Sequence, residues 1–331
     1  MKAKIRLTVR ARNRGLEFAT GLVFMAGMTA RVLSVFLTVL LGLAAMAGHA
    51  LAQDNNFGIS NFAPDIRPGT LSQSQPQDLI LKVLLTEDSE PIPSGVVWRV
   101  FEATPGPDGN MPLVEMRDGG IGRFSLQPGT YLVHAAFGRA GVTKKVTISN
   151  QAREEIMVLN AGGLMLNAEL PGGLRIPAKK LRFSIYDATE DITGERKLII
   201  PNVTPNSVVR LNAGTYHVVS TYGAVNAVIR SDIRVQAGKL TTATVEHRAA
   251  QLTLKLVREH GGEAIADTQW SILTDAGDMV RESVAAFASV VLAEGNYTAI
   301  AKNRERIFQR DFEVVAGRNQ DVEVLVSDEM N

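Results

Sequence analysis

Cysteine is missing from all 331 residues. Its absence excludes disulfides, Cys-ligated zinc, a thiol nucleophile and membrane attachment through a lipidated N-terminal cysteine. Aromatic residues are also few, at 6% of the chain with 2 Trp and 5 Tyr, so an aromatic that recurs at a fixed spacing carries information. No G-x-S-x-G, H-E-x-x-H, phosphate-binding loop or dinucleotide fingerprint is present. No catalytic residue, cofactor or metal site is therefore assigned. Of the 5 histidines, His134, His217, His247 and His260 follow the N-terminal segment, and none has a second ligand at metal-binding spacing.

An excess of positive charge is lacking too. Residues 1 to 52 hold seven of the 35 Lys and Arg residues and one of the 34 acidic ones, which leaves 28 basic and 33 acidic residues, a net charge of −5. Without a basic surface to neutralise phosphates, nucleic acid is excluded as a partner.

The sustained uncharged apolar run is Val32 to Gly48, preceded by Arg31 and followed by Ala50-Leu51-Ala52. A basic start, an apolar centre and a small-x-small end are the parts of a secretory signal, and cleavage is expected between Ala52 and Gln53. The alternative is an uncleaved anchor, in which case this segment is the membrane contact. Met25 and Met28 would each give a conventional start, so residues 1 to 27 read as the product of an over-extended start codon. An exported chain without disulfides fits a Gram-negative periplasm or cell surface.

Residues 53–77 are rich in Asn, Gln, Ser and Pro and read as a flexible linker. The spacing of Phe57, Ile59, Phe62 and Ile66 is more apolar than a spacer needs, which leaves open a docking peptide.

Beyond the linker the chain repeats itself. The phrases LQPGTYLVHA, LNAGTYHVVS and LAEGNYTAIA place Leu126, Gly129 and Tyr131 in step with Leu211, Gly214 and Tyr216, and again with Leu292, Gly295 and Tyr297. Alternating strands open each unit at Leu79, Leu164 and Leu252. Trp98, Phe183 and Trp270 recur in a second strand, where an aromatic would fill the space between two sheets. About seven short strands in about eighty residues predict an antiparallel Greek-key sandwich. The expected fold is all-β, with sandwiches at 78–162, 163–249 and 250–331. Residues 278–292 have helix-like spacing, but the repeat symmetry predicts strands there.

In the phrase itself, Leu, then Gly three residues on, then Tyr two after that, predicts a tyrosine corner whose hydroxyl bonds back to the backbone, with glycine supplying positive φ. That makes the phrase a scaffold. The same residues, in full as Leu126, Pro128, Gly129, Tyr131 and Val133, resemble the prealbumin-like (Ig-like) repeats of carboxypeptidase regulatory modules, PEGA modules and collagen-adhesin B-type repeats. The resemblance implies a non-catalytic extracytoplasmic sandwich. Such adhesin repeats can carry a Lys to Asn isopeptide bond, but Lys82 should point outward, away from Asn160. The functional expectation is a non-enzymatic envelope protein, a spacer or interaction rod whose partner is an envelope protein or glycan. The other reading is a carbohydrate- or small-ligand-binding module.

Overall fold

Alternation of apolar and polar residues at a period of two dictates strands with one face to the core, and the computed structural model shows those strands throughout. It describes residues 5–10 and 75–327. The run Val32 to Gly48, the cleavage pair Ala52 and Gln53, and Phe57 and Phe62 lie outside the described residues.

After β1 (Ile5–Arg10), the first sandwich contains β2 (Gln77–Leu84), β3 (Val96–Glu102), β4 (Leu113–Gly119), β5 (Gly122–Leu126), β6 (Gly129–Phe137), β7 (Ala140–Ile148) and β8 (Arg153–Val158). The second contains β9 (Ala161–Leu170), β10 (Leu174–Arg175), β11 (Leu181–Glu190), β12 (Arg196–Val203), β13 (Val208–Asn212), β14 (Gly214–Tyr222), β15 (Val228–Val235) and β16 (Leu240–Glu246). The third contains β17 (Ala249–Val257), β18 (Thr268–Thr274), β19 (Met279–Val284), β20 (Phe287–Ala293), β21 (Gly295–Asn303), β22 (Arg306–Val314) and β23 (Gln320–Leu325). Residues 278–292 are thus strands: the side chains that suggest a helix instead line two antiparallel edges, and tertiary pairing overrides local propensity.

Each sandwich sets a four-stranded sheet against a smaller one. The four-stranded orders are β4-β3-β6-β7, β12-β11-β14-β15 and β19-β18-β21-β22. The smaller sheets centre on the opening strand, as β5-β2-β8, β13-β9-β16 with β10 also on β9, and β20-β17-β23. The expectation of wholly antiparallel sheets is corrected in one detail: β2 with β8, β9 with β16, and β17 with β23 run parallel. The last strand returns from the opposite sheet to the free side of the first, and alternation of side chains is the same for either direction of pairing.

Trp98, Phe183 and Trp270 are fully buried between the sheets. Burying such a side chain contributes about 1.5–3 kcal/mol by area. The indoles also find partners, with Trp98 Nε1 donating to Gly120 O at 3.1 Å and Trp270 Nε1 to Ala285 O at 2.9 Å. Phe183 fills the same place without a polar atom to satisfy.

Within the N-terminal extension, Ile5–Arg10 pairs antiparallel with β16, from Ile5 opposite Val245 to Arg10 opposite Leu240. An alternating six-residue segment suits an open sheet edge, and its place in the chain, before an apolar run, hides that fact. Among the described residues, no helix is long and apolar enough to cross a membrane.

Candidate functional site

The thrice-written phrase lies at the start of the third strand of each four-stranded sheet, and its chemistry is the same each time. Tyr131 Oη donates to Gln127 O at 2.9 Å, Tyr216 Oη to Asn212 O at 2.9 Å, and Tyr297 Oη to Ala293 O at 3.0 Å. Each bond reaches four residues upstream and holds the turn that leads into the strand. Leu126, Leu211 and Leu292 are buried beneath it. Burial raises all three phenols above the ordinary tyrosine pKa, with Glu102 adding to the effect at Tyr131 and Asp187 at Tyr216.

The glycines need a correction. Gly295 has φ 150°, but Gly129 and Gly214 do not adopt positive φ. At Gly129 the Tyr131 ring folds back to 3.5–3.6 Å from where a Cβ would stand, an ordinary contact, and nothing lies within 4 Å of the same point at Gly214. The tyrosine hydroxyl, rather than a left-handed glycine, makes the corner, and nothing in the structure explains the glycine at 214.

Two of the corners have a second role that sequence spacing did not show: the sandwich before each one docks there. At the first junction the loop after β6 meets the second corner. Asn212 Nδ2 donates to Gly141 O at 3.2 Å and to Leu159 O at 2.7 Å, while Asn212 Oδ1 accepts from Gly141 N at 3.1 Å. Arg139 N donates to Arg210 O at 3.0 Å, and the Arg210 guanidinium lies 4.4 Å from the centre of the Phe137 ring, within cation–π range. Gly138, with φ 68°, lets the loop approach so closely that a Cβ there would meet Arg210 Cβ at 2.9 Å.

At the second junction the loop after β14 meets the third corner in the same manner. Here the asparagine comes from the loop: Asn226 Nδ2 donates to Tyr297 Oη at 2.8 Å and Asn226 Oδ1 accepts from Ala293 N at 2.9 Å. Gly223, with φ 77°, would carry its Cβ to within 2.6 Å of Val291 Cβ. Val291 belongs to the apolar core of the second sandwich although β20 belongs to the third, and Val225 packs in return on the core of the third. Only Leu159 and Asn160 separate β8 from β9, and only His247 and Arg248 separate β16 from β17. The short connections leave the docked loops to fix each sandwich on the next.

An open groove of about 400 Å³ lies beside the second junction, with Lys179, Lys180, Arg182 and Arg281 around Val225 and Val291. Lys180 Nζ donates to Gln251 Oε1 at 2.5 Å and the Arg182 guanidinium donates to Ala178 O at 2.9 Å and Leu181 O at 2.7 Å, so two of the four cations are already engaged.

The histidines have structural partners. His134 Nδ1 lies 2.9 Å from Thr143 Oγ1, His217 Nδ1 lies 2.7 Å from Asp232 Oδ1, and His260 Nδ1 lies 3.2 Å from Glu323 Oε2. His247 is buried against Ser220 Oγ at 2.8 Å and the Tyr222 ring, and burial lowers its pKa to about 4. Among the described residues, no group of three or more His, Asp or Glu side chains is placed to hold a metal ion. Lys82 points out of the sandwich and pairs with Glu154 at 2.7 Å.

Residues 251–326 match the model of a family described as the Rhizobiales growth-associated tandem repeat domain. No curated protein matches the chain. Among solved structures, the chain is similar to the TIE protein of Bacillus anthracis, at 16% identity and a TM-score of 0.23, over 78% of this chain and 51% of that one. It therefore spans about half the length of that protein. It is also similar to the minor pilin of Streptococcus agalactiae, at 14% identity and a TM-score of 0.29, over 52% of this chain and 95% of that one. The major pilin subunit of Bacillus cereus compares at 9% identity and a TM-score of 0.23, over 75% and 99% of the two chains.

Proposed function

We propose that this is a non-enzymatic, exported envelope protein whose three sandwiches form a stiff spacer that presents partner-binding surfaces. The observation that carries the reading is the twice-built junction, in which a loop of one sandwich is hydrogen-bonded into the tyrosine corner of the next. A flexible string of binding modules has no need for such docking. Export rests on the expected signal ahead of Gln53, and a periplasmic or surface location in a Gram-negative cell follows from that reading. The growth-associated description of the family that matches residues 251–326 supports a role connected with growth.

The absence of cysteine makes the test clean, because labels go only where cysteines are introduced. With Ser125→Cys in the first sandwich and Glu313→Cys in the third, both spin-labelled, pulsed electron resonance should give one narrow distance distribution. A broad distribution spanning tens of ångströms would mean independent domains on hinges and would defeat the spacer reading.

The groove lined by Lys179, Lys180, Arg182 and Arg281 favours a second reading, a module for an acidic saccharide. Four cations without an acidic residue in the lining suit a polyanion held through charge and displaced by salt. Titration with an acidic oligosaccharide would separate the readings, since Lys179→Glu with Arg281→Glu should abolish binding only if the groove is the site.

A further inference from the structure

The last strand of each sandwich lies at the outer edge of its smaller sheet, and an open edge is a template for another chain unless something blunts it. β8 and β23 are blunted by charge. β8 reads REEIMV, and Glu155 turns inward, nearly buried, where it is held by Lys144 at 2.6 Å and Arg153 at 2.5 Å. Burial by itself would raise that carboxyl, but the two cations outweigh it and hold its pKa below the ordinary value. β23 reads QDVEVL, with Asp321 paired to Lys255 at 2.5 Å and Glu323 bound to His260 at 3.2 Å. β16 differs from both. It reads LTTATVE and runs from Leu240 to Val245 without a charge. Among the described residues, it is also the edge of the three that carries an added strand, β1.

We propose that the outer edge of β16 is a strand-acceptor site for an extended protein segment that alternates apolar and basic residues. Ile5–Arg10 is the occupant within this chain, and a partner's segment of the same pattern takes its place once residues 1–52 are removed. The register supports the chemistry. Ile5, Leu7 and Val9 stand in register with Val245, Ala243 and Thr241, the core-facing positions of β16, and Arg6, Thr8 and Arg10 with the outward positions, while Leu7 is itself 54% exposed, so the added strand extends the sheet's edge and not its buried core. On that outward face Glu246 stands in register with Glu169 of β9. Arg6, opposite Thr244, is the diagonal neighbour of Glu246, close enough for opposite charges to attract. Main-chain hydrogen bonds would supply the affinity and the alternating side chains the selection, which is how strand addition recognises a peptide. While the resident segment remains joined to the chain, its effective concentration is high and keeps competitors out.

The chain beginning at Gln53 keeps every core residue from Leu79 to Val324 and is the form to titrate. The probe is a fluorescent peptide of residues 2–12, KAKIRLTVRAR. It should bind the chain from Gln53 saturably and at least tenfold more tightly than the full chain. Two derivatives, N-methylated at residues 5, 7 and 9 or at 6, 8 and 10, divide the peptide's two hydrogen-bonding edges. One of them should lose at least tenfold in affinity while the other binds like the parent. As a second measurement independent of truncation, the full chain with Thr8→Cys and Thr242→Cys should oxidise to an internal disulfide, since those residues are register partners. Absence of saturable binding, equal binding to both chains, equal behaviour of the two methylated peptides, or no disulfide would each overturn the proposal.

Discussion

The corners at Tyr131 and Tyr297 are the same phrase in two settings. Both hydroxyls bond to a carbonyl four residues upstream. The first, among the described residues, has no sandwich docked on it, and its ring is partly exposed; the third is buried and also accepts a hydrogen bond from Asn226 of the preceding sandwich. The comparison separates two roles that share one residue type: making the turn, which every corner does, and receiving a neighbour, which depends on what precedes it.

The harshest way to break the comparison is to block the docking without touching the corner. Gly223→Val combines positive φ with a Cβ at 2.6 Å from Val291 Cβ. It should cost about 3 kcal/mol or more and uncouple the third sandwich from the second. Calorimetry should show a separate melting transition for the third, whereas Gly214→Val, at an open position with ordinary backbone, should change melting little.

Acid should destabilise the second sandwich through His247. His247 has a folded pKa of about 4 against an ordinary 6.5, so the folded state resists protonation. Its burial is harmless above pH 6.5 and costs stability as the pH falls from 6.5 to about 4, by up to about 3 kcal/mol in all. Urea melts of the wild type and of His247→Gln should diverge across that window and run parallel above it. Equal acid sensitivity in both would show that His247 is not the group involved.

Removing the clamps should cost somewhat less. Asn226→Ala strips Ala293 N of its acceptor and Tyr297 Oη of its donor, the hydroxyl keeping its own bond to Ala293 O, and Asn212→Ala removes the partner of Gly141 and Leu159. Each should destabilise by about 2 kcal/mol, and spin-label distances across the affected junction should broaden while those across the other stay narrow.

The smallest effect sharpens the comparison itself. Tyr131→Phe removes one hydrogen bond and should lower stability by about 1 kcal/mol. Tyr297→Phe also strands the Asn226 amide and should cost about 2 kcal/mol. Equal losses in paired denaturation curves would mean that docking adds nothing to the third corner.

Particular residues show how much of this was legible in advance. Leu79, Leu81 and Val83 alternate and are buried, Trp98 and Trp270 recur in step and fill the space between sheets, and the Tyr spacing fits a corner. These are properties of one strand or one turn, carried by periodicity along a few residues. Asn212 and Asn226 were not legible, because each acts on a partner 71 positions away, one from the end of a strand and the other from an ordinary loop.

By itself the sequence determined the all-β class, the threefold repetition, the inward face of each strand and the core aromatics, since side-chain alternation and hydrophobic burial operate locally and at fixed period. Tertiary structure alone decided the parallel pairing of first and last strands, the extended backbone at Gly129 and Gly214, the docking of loops on corners, and the addition of Ile5–Arg10 to β16. Those features depend on which hydrogen-bonding edges and surfaces meet in space. A strand's sequence states which face it buries, but its edges offer the same main-chain N–H and C=O groups to any chain that reaches them.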